Sequence, residues 1–226
     1  MAGRPRGAQA PREMRRGGRR DRCGRRGANR RGLGSMQAVN PVGEPLTIPR
    51  GLLLLDIDDV LCQSQPFGGY HALGALWRPS EEPKDIWEKL FHPPAVAALQ
   101  HLMRECAPQV VLTTSWLCIM DRQHLVEVFQ RTGLSAVAES LHAQWAAPQD
   151  LGVSRHGAIS KWLEGNHRGE PLLILDDTLS GESLIDSVWD AGGHQLLCEV
   201  DIGFHAGLLP AAIKALRTPY VKPAWW

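Results

Sequence analysis

Four short apolar runs in this 226-residue chain end on carboxylates or hydroxyls. Leu52 to Leu55 breaks on Asp56, with Asp58 two residues on; Val110 to Leu112 runs into Thr113, Thr114 and Ser115. Leu172 to Leu175 runs into the pair Asp176 and Asp177, and Leu196 to Val200 into Asp201. Carboxylates serve as nucleophiles, as general acids and bases, and as oxygen ligands for hard cations, while a hydroxyl can donate to an anionic oxygen. Asp56, Asp58, Thr114, Asp176 and Asp177 are spread over 122 positions, so only the fold can bring them together. Any one of them alone reads as a helix cap or a turn residue. Four runs ending this way, with paired carboxylates on the first and third, point instead to a shared crevice.

The elements that must position these groups alternate along the chain. The apolar runs read as strands buried on both faces, as in the middle of a parallel sheet. Between them lie helix-period segments at 94–105, 121–132, 157–164, 182–190 and 207–217, two of them stopped by Gly133 and Gly165. A fifth strand is expected near 134–138, where the pattern is weakest. Alternating strands and helices predict an α/β fold, a three-layer, doubly wound, mostly parallel sheet of about five strands. Right-handed crossovers then bring every strand's carboxyl end to one edge, where ligands bind in such sheets.

Composition bounds the setting. Apolar residues make up 43% and charged residues 22% of the chain, enough for one sizeable core, and no window approaches a membrane span. Five cysteines without a CxxC pair indicate neither a disulfide framework nor a zinc knuckle, and nine histidines include no HExxH. A soluble, cytoplasmic protein with reduced thiols is expected. The net charge of +1 hides an asymmetry: residues 1–35 hold twelve arginines against Glu13 and Asp21, a local charge of +10, which leaves −9 for the rest. This arginine- and glycine-rich leader lacks the apolar area to fold and is expected to be disordered. It reads as a basic arm for a polyanion, as a targeting peptide, or as an extension upstream of a working start at Met36. The expected organisation is the leader at 1–35, a globular domain at 45–218 and a tail at 219–226. Trp162 and Trp189 fall on apolar helix faces and belong to the core; Trp116 follows the threonines and could line the crevice; Trp225 and Trp226 close the tail.

With its apolar strand before it, Asp56-Ile57-Asp58-Asp59-Val60-Leu61, together with the hydroxyl-ended run to Thr114 and the pair Asp176-Asp177, resembles the haloacid dehalogenase (HAD) superfamily of phosphohydrolases. Thr114-Ser115-Trp116, Arg155 followed by Ile159 and Trp162-Leu163, and Asp201 with Gly207-Leu208 are most similar to the HAD domain of Swiss-Army-knife RNA repair proteins. The resemblance covers about residues 50–217 and implies a magnesium-dependent phosphatase acting through an aspartyl phosphate. Asp56 is then the nucleophile. Asp58 returns to the same side of an extended backbone, where it can protonate the leaving oxygen and later accept a proton from water. Its presence separates phosphatases from relatives that attack carbon. Its alternative is a turn-capping carboxylate.

The resemblance implies that Asp56, the Asp58 carbonyl and Asp176 hold the metal, with Asp177 direct or through water. Magnesium relieves the repulsion among the carboxylates and neutralises the phosphate. Thr114 donates to a phosphoryl oxygen; Thr113 is the alternative one residue earlier, but the end of the apolar run favours Thr114. Arg155 and Lys161 compete for the cation that stabilises the transferring phosphoryl group. A helix leading into the 172–176 strand must start at the active-site edge, so Arg155 lies near the phosphate, and Lys161 about 9 Å further down.

Neither 62–109 nor 115–154 leaves room for a full cap domain over the site. An open crevice suits a large phosphorylated substrate, with RNA or DNA ends implied by resemblance. The acidic remainder of the chain disfavours tight polyanion binding, which depends on lysine and arginine. The non-enzymatic reading is a domain that keeps the fold and binds phosphate or a protein partner. Intact Asp56, Asp58, Thr114 and Asp176 weigh against it.

Overall fold

Five parallel strands form one sheet in the order β3-β2-β1-β4-β5, in a computed structural model that describes residues 49–222. The strands are β1 (Leu52–Leu55), β2 (Gln109–Leu112), β3 (Leu141–Ala146), β4 (Leu172–Asp177) and β5 (Gln195–Cys198). The arginine-rich leader, Cys23, Trp225 and Trp226 lie outside the described residues.

β1 is central and all leucine because both of its faces are covered. Successive side chains of a strand point to opposite faces. Leu53 and Leu55, level with Val110 and Leu112 on β2 and with Leu173 and Leu175 on β4, pack in one core with Leu99 and Leu102 of α3 (Pro93–Cys106). Leu125 and Phe129 of α4 (Arg122–Arg131) join that core. Leu52 and Leu54, level with Leu172 and Ile174, pack on the opposite face against Ile159, Trp162 and Leu163 of the helix Arg155–Asn166 and against Trp189. The helices therefore cover both sides, and Trp162 and Trp189 are core residues.

Between β1 and β2 stand α1 (Gly69–Trp77), α2 (Ile86–Lys89) and α3. Between β2 and the helix at Arg155 stand a 3-10 turn at Ser115–Cys118, α4, α5 (Ser135–Glu139) and β3. The expected strand near 134–138 is corrected: those residues form α5, and the strand follows it at Leu141–Ala146. β3 is an edge strand paired only to β2, with an irregular register and only partial burial, so it carries no continuous apolar run. Val137 and Ala138 are buried by α5 instead. The single helix expected at 182–190 is also corrected. It divides into a 3-10 turn at Glu182–Leu184 and a short α7 (Val188–Ala191), separated by Asp186 at φ 58° and restarted by the Ser187 cap. Residues 207–217 likewise divide into a turn at Ala206–Leu208 and a helix, α8 (Leu209–Ala215), with proline in its first turn.

Candidate active site

Leu55 is level with Leu112 and Leu175, so the next residues, Asp56, Thr113 and Asp176, leave the three central strands side by side and on one face. The ladder continues through them: the Asp56 N–H donates to the Leu175 carbonyl at 3.0 Å and the Thr113 N–H to the Leu55 carbonyl at 2.9 Å. The Asp56, Asp176 and Asp177 side chains are all buried, and one carboxylate oxygen from each lies within 4.8 Å of the others.

Asp176 and Asp177 each commit one oxygen to the local turn. Asp176 Oδ1 accepts from the Asp177 N–H, and Asp177 Oδ1 accepts from the Leu179 and Ser180 N–H groups at 2.6 and 2.9 Å. The turn-residue reading of an Asp-Asp pair is thus half of its role. Of the remaining oxygens, Asp56 Oδ1 and Asp177 Oδ2 are buried without a partner, while Asp56 Oδ2 and Asp176 Oδ2 face only the Arg155 guanidinium.

Arg155 is the one cation placed against this cluster among the described residues. It opens α6 (Arg155–Asn166), whose Ser154 cap accepts the Gly157 N–H, and so starts at the carboxyl edge of the sheet. Its Nε lies 2.8 Å from Asp176 Oδ2 and its Nη2 3.2 Å from Asp56 Oδ2, which makes it a largely buried bridge between the two strands. Lys161 faces elsewhere, with its Nζ 2.7 Å from Asp150 Oδ2 in an exposed pair. The distance down the helix separates the two expected cations as α-helical rise requires.

One guanidinium against three carboxylates leaves the cluster with an excess of negative charge. Burial, together with the charge of Asp56, raises the Asp176 carboxyl to about 8. Burial likewise raises Asp56 to about 6, opposed by Arg155. The orphaned oxygens and this excess charge fit a hard divalent cation, which prefers carboxylate oxygens.

Asp58 stands apart from that group. The chain does not stay extended after Asp56: the Ile57 carbonyl accepts N–H groups from Val60, Leu61 and Cys62, and Asp59 takes φ 53°. This turn carries the Asp58 carboxylate to three donors. The Trp116 indole N–H reaches Oδ1 at 2.9 Å, the Ser115 hydroxyl reaches Oδ2 at 2.9 Å, and the Ser64 hydroxyl lies 3.4 Å from Oδ1. Ser64, Ser115 and Trp116 were not legible as carboxylate holders from sequence, although Trp116 was expected near the crevice. The Ser-Trp pair directly after the threonines was the available signal.

The two threonines differ in what they do locally. Thr114 caps the 3-10 turn, its hydroxyl accepting the Trp116 N–H at 3.3 Å. Thr113, level with Asp56 and Asp176, has a buried hydroxyl without a hydrogen bond. Asp201 lies outside the cluster; it is exposed, at φ 66°, and its carbonyl accepts from Gln63.

Two cavities open beside the cluster and share Ser115 and Cys118 in their walls. One, of about 340 Å³, includes Arg155, Ser154 and Ser180. The other, of about 540 Å³, has Asp58 in its wall. No described helix is long and apolar enough to cross a membrane.

A family model described as the HAD domain in Swiss Army Knife RNA repair proteins matches residues 52–207, a span that includes every residue of this cluster. No curated protein and no solved structure matches the chain.

Proposed function

Because this chain belongs to the family of HAD domains found in Swiss Army Knife RNA repair proteins, we propose that it is a magnesium-dependent phosphomonoesterase acting through an aspartyl phosphate, on phosphorylated nucleic-acid ends or nucleotides. The observation that carries this reading is the buried cluster of Asp56, Asp176 and Asp177, with unsatisfied oxygens and Arg155 bridging two of the three. Such a cluster is costly to bury unless a cation completes it.

Asp56 attacks phosphorus through a carboxylate oxygen, the bond from phosphorus to the leaving oxygen breaks, and Asp58 supplies that oxygen with a proton. Water then attacks the aspartyl phosphate, Asp58 takes a proton from it, and cleavage of the bond to Asp56 releases phosphate. Arg155 stabilises the charge on the transferring group in both steps. Asp56, Asp176 and Asp177, with the Asp58 carbonyl, would hold magnesium, which would supply neutralisation of the phosphoryl oxygens. The hydrogen bonds from Trp116 and Ser115 hold the Asp58 carboxylate in one place between these steps.

The sheet register favours Thr113 over the expected Thr114 as the hydroxyl that donates to a phosphoryl oxygen. Thr113→Val removes that hydroxyl at nearly constant volume and is expected to lower kcat/KM by roughly tenfold or more, the worth of a hydrogen bond to a charged group. Thr114→Val is expected to act mainly on stability, by about 1 kcal/mol through the lost cap. Steady-state kinetics and denaturant unfolding on both proteins separate the two. A larger catalytic loss for Thr114→Val would make Thr114 the donor to the phosphoryl oxygen.

The test of the function itself is phosphate release with magnesium from p-nitrophenyl phosphate, nucleotides, and 3′- and 5′-phosphorylated oligonucleotides. Release is expected from at least one class. The −9 charge outside residues 1–35 suits recognition of a terminal phosphate rather than tracking along a strand. Release from none of them would sink the hydrolase reading and favour a domain that binds phosphate or a protein partner.

A further inference from the structure

We propose that the cavity of about 540 Å³ beside Asp58 is the leaving-group subsite and that it takes an uncharged nucleoside, the terminal one of the phosphorylated substrate. This deepens the hydrolase reading and rests on it. In an in-line displacement the leaving oxygen lies opposite the nucleophile, and the residue that protonates it must touch it. Asp58 forms part of this cavity's wall, whereas Arg155, which answers the phosphoryl charge, lines the neighbouring one. The phosphate therefore sits between the two cavities, at the wall they share through Ser115, and the esterified group extends into the Asp58 side.

The lining of that cavity describes what fits. It includes no lysine or arginine, and Asp58 is its only carboxylate, so no basic side chain in it answers a second phosphate. Polyphosphate and the body of a strand are disfavoured in it on charge; an uncharged group is not. Its volume lies in the range that holds a small organic ligand. Aromatic side chains frame it. Trp116 is buried in its wall, fixed by its hydrogen bond to Asp58 and by close packing on Gly69, where an added Cβ would come within 3.0 Å of the indole. Tyr70, 76% exposed, also lines the cavity, so its ring is open to an aromatic group held there.

Polar groups are interleaved with the rings. His71 Nδ1 accepts the Gly68 N–H, which places the neutral ring's proton on Nε2 and leaves that edge a donor. The Tyr70, Ser64 and Ser115 hydroxyls add polar edges. A nucleoside presents both a flat face and a polar rim of ring nitrogens and ribose hydroxyls. A phenyl ring such as that of phosphotyrosine presents the face without the rim, and so matches less of the lining.

The test compares matched esters on the full chain with magnesium: adenosine 5′- or 3′-monophosphate, whichever is turned over faster, against the ribose phosphate that lacks the base. The nucleotide is expected to have the higher kcat/KM by at least about tenfold, the usual worth of a base stacked on an aromatic ring, and Tyr70→Ala is expected to shrink that ratio towards one. Equal kcat/KM for the two esters, with turnover intact, overturns the subsite and leaves the hydrolase reading standing. A preference for phosphotyrosine over the nucleotide overturns it in favour of a phosphoprotein substrate. If no ester is hydrolysed the hydrolase reading fails, and the cavity is read separately by calorimetry: adenosine monophosphate binding about tenfold tighter than ribose phosphate supports the subsite, and equal or absent binding overturns it.

Discussion

Phosphate release by an Asp56→Asn protein is expected to fall by roughly 10⁴-fold or more, the scale on which removal of a covalent nucleophile acts. The asparagine keeps the shape of the side chain but cannot form the acyl phosphate, and its amide is a poor nucleophile. The fold is expected to survive. Asp56 is buried beside two other carboxylates and is answered only by Arg155 at 3.2 Å, so exchanging the carboxylate for a neutral amide relieves the repulsion and gives up one arm of that ion pair. The metal-free variant should unfold at a temperature no lower than the parent. Arg155 retains Asp176 as a partner at 2.8 Å, which limits the disturbance to one end of the bridge. Full turnover by the variant would exclude the covalent mechanism. Loss of turnover together with a collapsed melting transition would assign Asp56 a structural role instead.

Removing divalent metal is expected to abolish turnover, with recovery on adding magnesium, and to change how stability responds to pH. The Asp56 and Asp176 carboxyls are raised by burial, to about 6 and about 8, above their ordinary value of 3.8. Between those limits the folded protein holds protons that the unfolded chain has released. Stability therefore falls as pH rises through this window, and the loss is complete above the higher folded value. Below about pH 4 the unfolded carboxyls also carry their protons and this contribution vanishes. Metal-free protein should accordingly melt at lower temperature at pH 8 than at pH 5. Asp176→Asn, which removes the group with the larger displacement, should raise the metal-free midpoint more at pH 8 than at pH 5. Magnesium should stabilise the parent most at the alkaline end, where both carboxylates are ionised, because a ligand bound to the folded state alone shifts the unfolding equilibrium in its favour. Thermal melts at the two pH values, with and without magnesium, check each arm. Chelator-insensitive turnover would exclude the metal assignment, and a flat metal-free profile would exclude the burial of ionisable carboxylates as its cause.

Much of this site can be read along the chain because a doubly covered strand leaves a clear trace. Leu52 to Leu55 and Leu172 to Leu175 are apolar at every position since both faces pack, and the run must end where the strand reaches the crevice. That transition located Asp56, Asp176 and Asp177. The start of α6 was likewise legible, and with it the reason for Arg155 to stand nearer the cluster than Lys161: a helix that descends from the active-site edge carries its later residues away. β3 has no such trace because it is an edge strand with partial burial, and the apolar pair at Val137 and Ala138 belongs to the short helix before it.

By itself the sequence determined the α/β class, the three strand ends that meet at the acidic cluster and the family the chain resembles, since these depend on residue type and on periodicity along one segment. Only the tertiary structure decided which threonine stands level with Asp56, because that depends on pairing between β1 and β2 and a shift of one residue turns the side chain to the other face. It also decided that Asp58 is held by Trp116 and Ser115 from 58 and 57 residues away, and that one guanidinium bridges Asp56 and Asp176. Hydrogen bonds and ion pairs between distant segments are set by the packing of the whole sheet and leave no periodic signal in any one of its strands.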